Sequence, residues 1–254
     1  MRILIKLGGT LLDSPESRER LAGEIAALKG VSAVVVHGGG KQMTRFLRSS
    51  GIESRFINGL RVTTPEVLEA VLAVVAGSVN RRLVAALVGA GVRAVGLSGI
   101  DGGLTEAEPI SEELGAVGRP VRTNPELLEL LTTSGYLPVI ACVAGDRHGR
   151  AYNVNADHMA VSCAVAYRAD RILFLTDVEG VRGNQGELLP ELTLERAQGL
   201  IQAGIATGGM QAKLEAAAQA LGQGVREVLI APGSVRGVLQ RCLGGDLVGS
   251  RVIG

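Results

Sequence analysis

What most constrains this sequence is a rhythm: short apolar runs, each closed by glycine or a polar turn, alternate with segments of helical spacing. The runs are Ile3–Leu7, Ala33–Val36, Ala94–Leu97, Leu137–Val143, Arg171–Leu175 and Glu227–Ile230. They are rich in β-branched residues and do not alternate cleanly, as befits strands covered on both faces. Between them Leu21, Ile25 and Leu28 share a helix face, as do Val67, Val71 and Val75, then Leu127 and Leu131, then Met159, Cys163 and Tyr167, and finally Leu214, Ala217 and Leu221. Ser14-Pro15-Glu16, Thr64-Pro65-Glu66 and Asn124-Pro125-Glu126 each put a cap residue before proline at a first helical position and an acid in the first turn. The pattern predicts an α/β fold, a three-layer αβα sandwich around an open, mainly parallel sheet. Ile100–Thr123, with Gly102-Gly103, Gly115, Gly118 and Pro120, breaks the rhythm and reads as a hairpin excursion off the main sheet. The 254 residues allow one large domain or two intimate lobes. A boundary near Tyr167–Asp170 would divide lobe 1–168 from lobe 169–254.

Composition narrows the function. A net charge of +1 offers no field for a nucleic-acid backbone or an anionic membrane. Aromatic residues at 2% supply no base-stacking platform. No stretch approaches 18 uninterrupted apolar residues, so no membrane span is expected. Arg2, Lys6 and Asp13 interrupt the N-terminal apolar run, which does not read as a signal peptide. Cys142, Cys163 and Cys242 are odd in number and lack CxxC spacing, so they read as buried thiols in a reducing cytoplasm. His37, His148 and His158 lack metal-ligand spacing, and each reads as solvated or structurally hydrogen-bonded; no metal site is expected.

In an open α/β sheet, ligands bind beyond the carboxyl ends of the strands. There the sequence places Gly8-Gly9-Thr10, His37-Gly38-Gly39-Gly40-Lys41, Ser98-Gly99 and Thr176-Asp177-Val178-Glu179-Gly180. A tight turn accounts for any one of these loops, but the set fits backbone amides approaching a phosphate. The P-loop pattern, a complete GxGxxG and a GxSxG elbow are all missing. Lys6 lies in an otherwise apolar strand, where a cation is costly unless it meets an anion. Lys213 sits on a helix opened by Thr207-Gly208-Gly209-Met210, and Asn153-Val154-Asn155-Ala156-Asp157 runs into another helix start. Snorkelling, a solvated charge and an ordinary cap are the simpler readings of these three features.

Together the chain resembles the amino acid kinase family over nearly its whole length. The resemblance is carried by Ile5-Lys6-Leu7-Gly8-Gly9, Val36-His37-Gly38-Gly39-Gly40, Asn58-Gly59-Leu60-Arg61-Val62-Thr63, Val95-Gly96-Leu97-Ser98-Gly99, Gly135-Tyr136-Leu137-Pro138-Val139, Asn153–Asp157, Thr176–Val181 and Gly208-Gly209-Met210. Asn58–Thr63 points to the branch acting on acylated glutamate. The resemblance implies an ATP-dependent kinase that phosphorylates the γ-carboxylate of N-acetyl-L-glutamate, with Mg²⁺ held by the nucleotide phosphates. It implies Lys6 and Lys213 flanking the transferred phosphoryl group, with Asp157 orienting both. Gly8, Gly9, Gly39 and Gly40 would supply amides to phosphates and substrate, and Arg61 and Asn153 would hold the acid. Asp177, Val178, Glu179, Gly180, Val181 and Arg182, with Ile205, Ala206 and Thr207, would line the ATP site.

Such chemistry suits the residues. An acceptor carboxylate near pKa ~4.3 is ionised at neutral pH and needs no general base. Phosphoryl transfer asks for positioning and charge stabilisation. His158 after Asp157 and Ala212 before Lys213 depart from the commoner pattern without removing a role. Asp101–Ile110 is less typical and leaves open a carrier-linked α-aminoadipate or glutamate acceptor, for which Arg45, Arg48, Arg55 and Arg61 would offer a basic surface. A non-catalytic nucleotide or amino-acid sensor on the same fold is a further alternative. The family also implies a homodimer, with Pro65–Gly77 as the dimer helix. Because the first strand starts at residue 2 or 3, the expectation is insensitivity to arginine.

Overall fold

A computed structural model describes residues 1–246 and 248–254. The chain begins with β1 (Arg2–Leu7), a 3-10 turn (Gly9–Leu12), α1 (Pro15–Ala26), β2 (Ser32–His37) and α2 (Gly40–Ser49). A small hairpin follows, β3 (Phe56–Ile57) and β4 (Leu60–Arg61). Next come α3 (Pro65–Val71), a π-helical segment (Leu72–Val79), α4 (Asn80–Gly89) and β5 (Ala94–Ser98). The middle of the chain forms β6 (Thr105–Pro109), β7 (Val117–Thr123), α5 (Pro125–Thr133), β8 (Leu137–Ala141), β9 (Val143–Gly145), β10 (Ala151–Val154) and α6 (Ala156–Ala166). The remainder is β11 (Arg171–Thr176), β12 (Glu191–Thr193), α7 (Leu194–Gln202), α8 (Gly208–Gly222), β13 (Glu227–Pro232), α9 (Val238–Gly244) and β14 (Ser250–Ile253).

The main sheet has eight strands in the order β12-β14-β13-β11-β1-β2-β8-β5. Every neighbouring pair is parallel except β13 with β14. Helices α1, α4 and α9 pack together, and so do α6, α7 and α8. Since β1 to β2 and β11 to β13 run in opposite directions across the sheet, the right-handed rule for such crossovers assigns the two groups to opposite faces, which gives the expected three layers. The central strands are buried on both faces: Ile3, Leu4, Ile5, Val34, Val35, Ile172, Leu173, Val228 and Ile230 lie in one core. Ser14, Thr64 and Asn124 cap α1, α3 and α5, each with proline at the helix start.

Four strands of the middle segment, β10-β7-β6-β9, close into a small barrel beside the main sheet. This is the excursion over Ile100–Thr123, with β6 and β7 antiparallel, enlarged by two strands that the apolar pattern did not separate. The run Leu137–Val143 is one of them: it leaves the main sheet at Ala141 and re-forms in the barrel from Val143. Strand β10 reads as polar because Asn153 alternates with buried Tyr152 and Val154. On α5 the buried residue is Leu128, with Leu127 and Leu131 only half-buried, so the core-facing stripe is rotated from the one the spacing implied.

The helical run Pro65–Gly89 is long and apolar enough to cross a membrane by length and composition, although Glu66, Glu69, Arg81 and Arg82 interrupt its apolar sequence. Val67, Val71, Val75, Leu83 and Leu87 of that run are buried in the core, as a core helix requires.

Candidate active site

Strand β1 has β2 on one side and β11 on the other, although β2 follows it directly and β11 comes much later. The carboxyl ends of these strands therefore meet at a switch of winding direction, where such sheets open a crevice. The Gly8–Thr10 and Gly38–Lys41 loops emerge there, with Asp177–Gly180 following β11. They are stitched together: Gly8 N donates to Leu175 O at 2.9 Å and Gly38 N to Leu7 O at 3.4 Å. A Cβ on Gly9 would stand 3.1 Å from the backbone nitrogen of Gly40, and one on Gly39 would stand 3.1 Å from Val75 of the π-helical segment. Helix α2 starts from this junction with no side-chain cap, so the first amides, which in any helix lack an intrahelical acceptor, are left available to an anion. Gln42 Nε2 donates to Gly9 O at 2.9 Å and ties one loop to the other.

The charges converge on the same place. Lys6 is only 6% exposed, at the end of β1. Asp157 stands in the first turn of α6, whose N-cap Asn155 accepts from its amide at 2.8 Å. Lys6 Nζ lies 2.7 Å from Asp157 Oδ1, and Lys213 Nζ lies 3.4 Å from Oδ2. One carboxylate thus holds two ammonium groups from opposite ends of the chain. Burial alone would raise the Asp157 carboxyl, but the Lys6 and Lys213 charges outweigh it and hold it below the usual range. Lys213 reaches this point from α8, one turn beyond Gly209, whose carbonyl it also approaches at 3.3 Å.

A second group borders the start of α2. Asn58-Gly59 turns the β3–β4 hairpin, with φ of 49° and 79°, the left-handed pair that a two-residue hairpin turn demands. This brings Arg61 back over α2, where its guanidinium donates to Thr44 Oγ1 at 2.8 Å and Gly40 O at 3.2 Å, and to Ser54 Oγ. Arg61 also stacks on Phe56, 4.6 Å from the ring centre. Asn153 on β10 donates to Thr63 Oγ1 at 3.1 Å, and that hydroxyl donates to Arg61 O at 2.9 Å. Arg61, Thr63 and Asn153 therefore form one hydrogen-bonded line leading to Gly40.

His37, the last residue of β2, is fully buried and ties that strand to the first residue of α4. Asn80 Nδ2 donates to its Nε2 at 2.9 Å and to Val139 O at 3.0 Å. With Nε2 accepting, Nδ1–H donates to Gly38 O at 3.0 Å. His37 is thus structurally hydrogen-bonded, and burial depresses its pKa to about 4. The unfolded chain takes up a proton below about pH 6.5 while the folded chain resists until about 4, so folding loses stability across that window as pH falls. The stability difference between wild type and His37→Asn is expected to narrow by about 2 kcal/mol between pH 7 and pH 5. Urea unfolding of both proteins at the two pH values checks this; a constant difference would contradict it.

The segments assigned to the nucleotide lie on the β11 side. Asp177, Val178 and Glu179 are exposed, Gly180 and Val181 are buried, and Arg182 pairs with Glu179 at 2.7 Å. Val181 turns its side chain into the core and donates its amide to Ser250 Oγ at 2.8 Å, so it can offer a ligand backbone only. Ile205 and Thr207 are exposed and Ala206 is buried, just before α8. The parts that Thr63, His37, Asn80 and Gln42 play in building the site lie beyond what the sequence predicts. Of these, only the hairpin that ends near Thr63 had a local signal, the Asn58-Gly59 dipeptide. No group of three or more His, Cys, Asp or Glu side chains able to hold a metal stands together among the described residues.

The chain is similar to known proteins over nearly its whole length. The pattern of the amino acid kinase family matches residues 1–232. Acetylglutamate kinase of Solibacter usitatus is 59% identical over 255 residues, covering 100% of this chain and 99% of that protein. Acetylglutamate kinase of Bartonella tribocorum is 44% identical, covering 91% of this chain and 82% of its own. Among solved structures, N-acetylglutamate synthase from Neisseria gonorrhoeae, complexed with coenzyme A and N-acetyl-glutamate, superposes with a TM-score of 0.89 at 26% identity. That match covers 100% of this chain but 59% of the synthase chain.

Proposed function

The chain belongs to the amino acid kinase family, and from that premise we propose that it transfers the γ-phosphoryl group of ATP to the γ-carboxylate of N-acetyl-L-glutamate, a step of arginine biosynthesis. The observation that carries this is the Lys6–Asp157–Lys213 cluster beside two abutting glycine loops. In this reading Lys6 and Lys213 swing from Asp157 onto the phosphoryl oxygens as negative charge spreads over them. Asp157 is a positioning residue that keeps both ammonium groups at the crevice between turnovers. The amides of Gly8, Gly9, Gly39 and Gly40 cradle the phosphates and the acceptor. The acceptor attacks as a carboxylate, so no side chain need remove a proton.

Arg61 suits the substrate's α-carboxylate because a guanidinium forms two parallel bonds to a carboxylate, and Asn153 lies on the same hydrogen-bonded line. Arg61→Ala is expected to raise KM for the acid by about 10- to 100-fold, the loss of one charge-assisted pair, with a much smaller change in kcat. Steady-state kinetics over acid concentration checks it; an unchanged KM would remove Arg61 from the acid site. The exposed Asp177–Glu179 stretch, Gly180, the backbone of Val181, Arg182 and Ile205–Thr207 serve ATP in this reading. The nucleotide would bring Mg²⁺ on its own phosphates, where the ion would supply charge neutralisation. Residues 1–168 would then form the acid lobe and 169–254 the nucleotide lobe.

Along Pro65–Gly77, Leu68, Leu72, Ala73 and Ala76 keep part of their surface in solvent opposite the core-facing valines, which supports a homodimer across that helix. Sedimentation at twice the chain mass is the expected result. The buried free thiols Cys142, Cys163 and Cys242 fit a reducing cytoplasm. The test of the reaction is ADP release from Mg-ATP with N-acetyl-L-glutamate, L-glutamate, L-aspartate and N-acetyl-L-aminoadipate offered separately. Release with the first alone supports the reading, and release with another acid would keep the mechanism but move the substrate. A sensor would bind nucleotide and release no ADP with any of them, yet it has no use for the complete Lys6–Asp157–Lys213 set.

A further inference from the structure

A cleft of about 650 Å³ opens between β7, α6 and α8, and none of Lys6, Asp157 and Lys213 lines it. Its volume is that of a small-molecule site. Its polar lining comes from Arg119, Arg122 and Thr123 on β7, His158 and Ser162 on α6, Gln219 on α8 and Gln223 just past its end. No carboxylate is among its lining residues.

The strand pairing explains how two arginines come to share it. Opposite β7, Glu108 pairs with Arg119 and Glu106 with Arg122, while Ala107 pairs with Pro120. Val121 is therefore an extra residue, a bulge. In an unbroken strand, positions three apart point to opposite faces. The bulge restores Arg122 to the face of Arg119, because both now oppose residues that are two apart. Neither arginine is firmly engaged. Arg119 meets Glu108 at 3.3 Å, with both side chains more than half exposed, a contact of little strength. Glu106, which faces Arg122, is taken by Arg147 at 2.8 Å, and Arg122 has no ion-pair partner among the described residues. On the α6 side, Ser162 Oγ and Thr123 Oγ1 lie 2.7 Å apart, continued by Thr105 Oγ1 at 3.1 Å, a hydroxyl chain able to turn a proton toward an acceptor.

We propose that this cleft binds a compact oxyanion ligand, its phosphate or carboxylate group gripped by Arg119 and Arg122 and its body lying between α6 and α8. The site is separate from the phosphoryl-transfer centre yet adjoins it. His158 is turned about 100° around α6 from Asp157, and α8 carries both Gln219 and Lys213.

Equilibrium dialysis with labelled inorganic phosphate and, separately, labelled citrate tests the proposal on the wild-type chain and on Arg119→Gln/Arg122→Gln. Both side chains are exposed and stand outside the transfer machinery, so kcat at saturating substrates should report an intact fold in the variant. The expected result is saturable binding of at least one probe to wild type, weakened at least tenfold in the double variant. The arm that responds tells whether phosphate or carboxylate is the better fit. Binding equal in the two proteins would place the anion elsewhere, at the glycine loops for instance, and would overturn the proposal. Absence of saturable binding of both probes to wild type would overturn it as well.

Discussion

Replacing Lys213 with alanine is expected to lower kcat by about 100- to 1,000-fold, the usual cost of removing one preorganised charge from a developing oxyanion, with the fold intact. The geometry explains why fold and rate separate here. Lys213 is the more distant of the two lysines, at 3.4 Å from Asp157, while Lys6 sits at 2.7 Å. Without Lys213, the Lys6–Asp157 pair still satisfies both charges, so stability changes little. In the transition state no other cation on α8 replaces the lost one, because Glu215 is the only other charged side chain of that helix. If the interaction forms only in the transition state, kcat and kcat/KM fall together and KM for the acid stays near wild type. Measured kinetics with kcat unchanged would remove Lys213 from the reaction.

Asp157→Asn should behave in the opposite order, with stability failing first. The substitution keeps the shape of the side chain but leaves Lys6, 8% exposed in its side chain, and Lys213 facing each other without the anion that holds them. Removing one partner of a buried charge cluster costs about 3 kcal/mol or more. For a chain of this length that lowers Tm by roughly 6–12 °C. Adding Lys213→Ala to Asp157→Asn removes one of the two opposed cations and should recover part of the loss, a coupling that a double-mutant cycle reads directly. Calorimetry of the four proteins checks both statements; equal Tm values for wild type and Asp157→Asn would show that the carboxylate does not hold the lysines.

Where the sequence could be read and where it could not follows from the range of the interactions. Buried parallel strands announce themselves by continuous apolar runs, so β1, β2, β11 and β13 are recognisable, as are the half-buried edge strand β5 by its short apolar run and the capped starts of α1, α3 and α5. The short strands β12, at the sheet edge, and β14 beside it carry too few residues for a pattern. The chain's departure from the main sheet after Ala141 is invisible because Cys142 is as apolar as its neighbours. Lys6 is legible as a charge in the wrong place, and Asp157 as an acid at a helix start. That the two meet, and that Lys213 joins them from α8, is a property of the fold. The same holds for the Asn80–His37–Gly38 relay and for Asn153 reaching Thr63. These partners are far apart in sequence, and a hydrogen bond between them leaves no local trace. The bulge at Val121 is hidden likewise, since only pairing with β6 reveals the extra residue.

The most direct test of the central claim is to trap the product. The purified chain, Mg-ATP and N-acetyl-L-glutamate are incubated with hydroxylamine, and the hydroxamate is measured against the Lys213→Ala variant. Hydroxamate formed from N-acetyl-L-glutamate, dependent on ATP and on Lys213, is the predicted result, because only an activated acyl phosphate reacts in this way. ATP consumed without hydroxamate, or no consumption at all with this acid, would contradict the account.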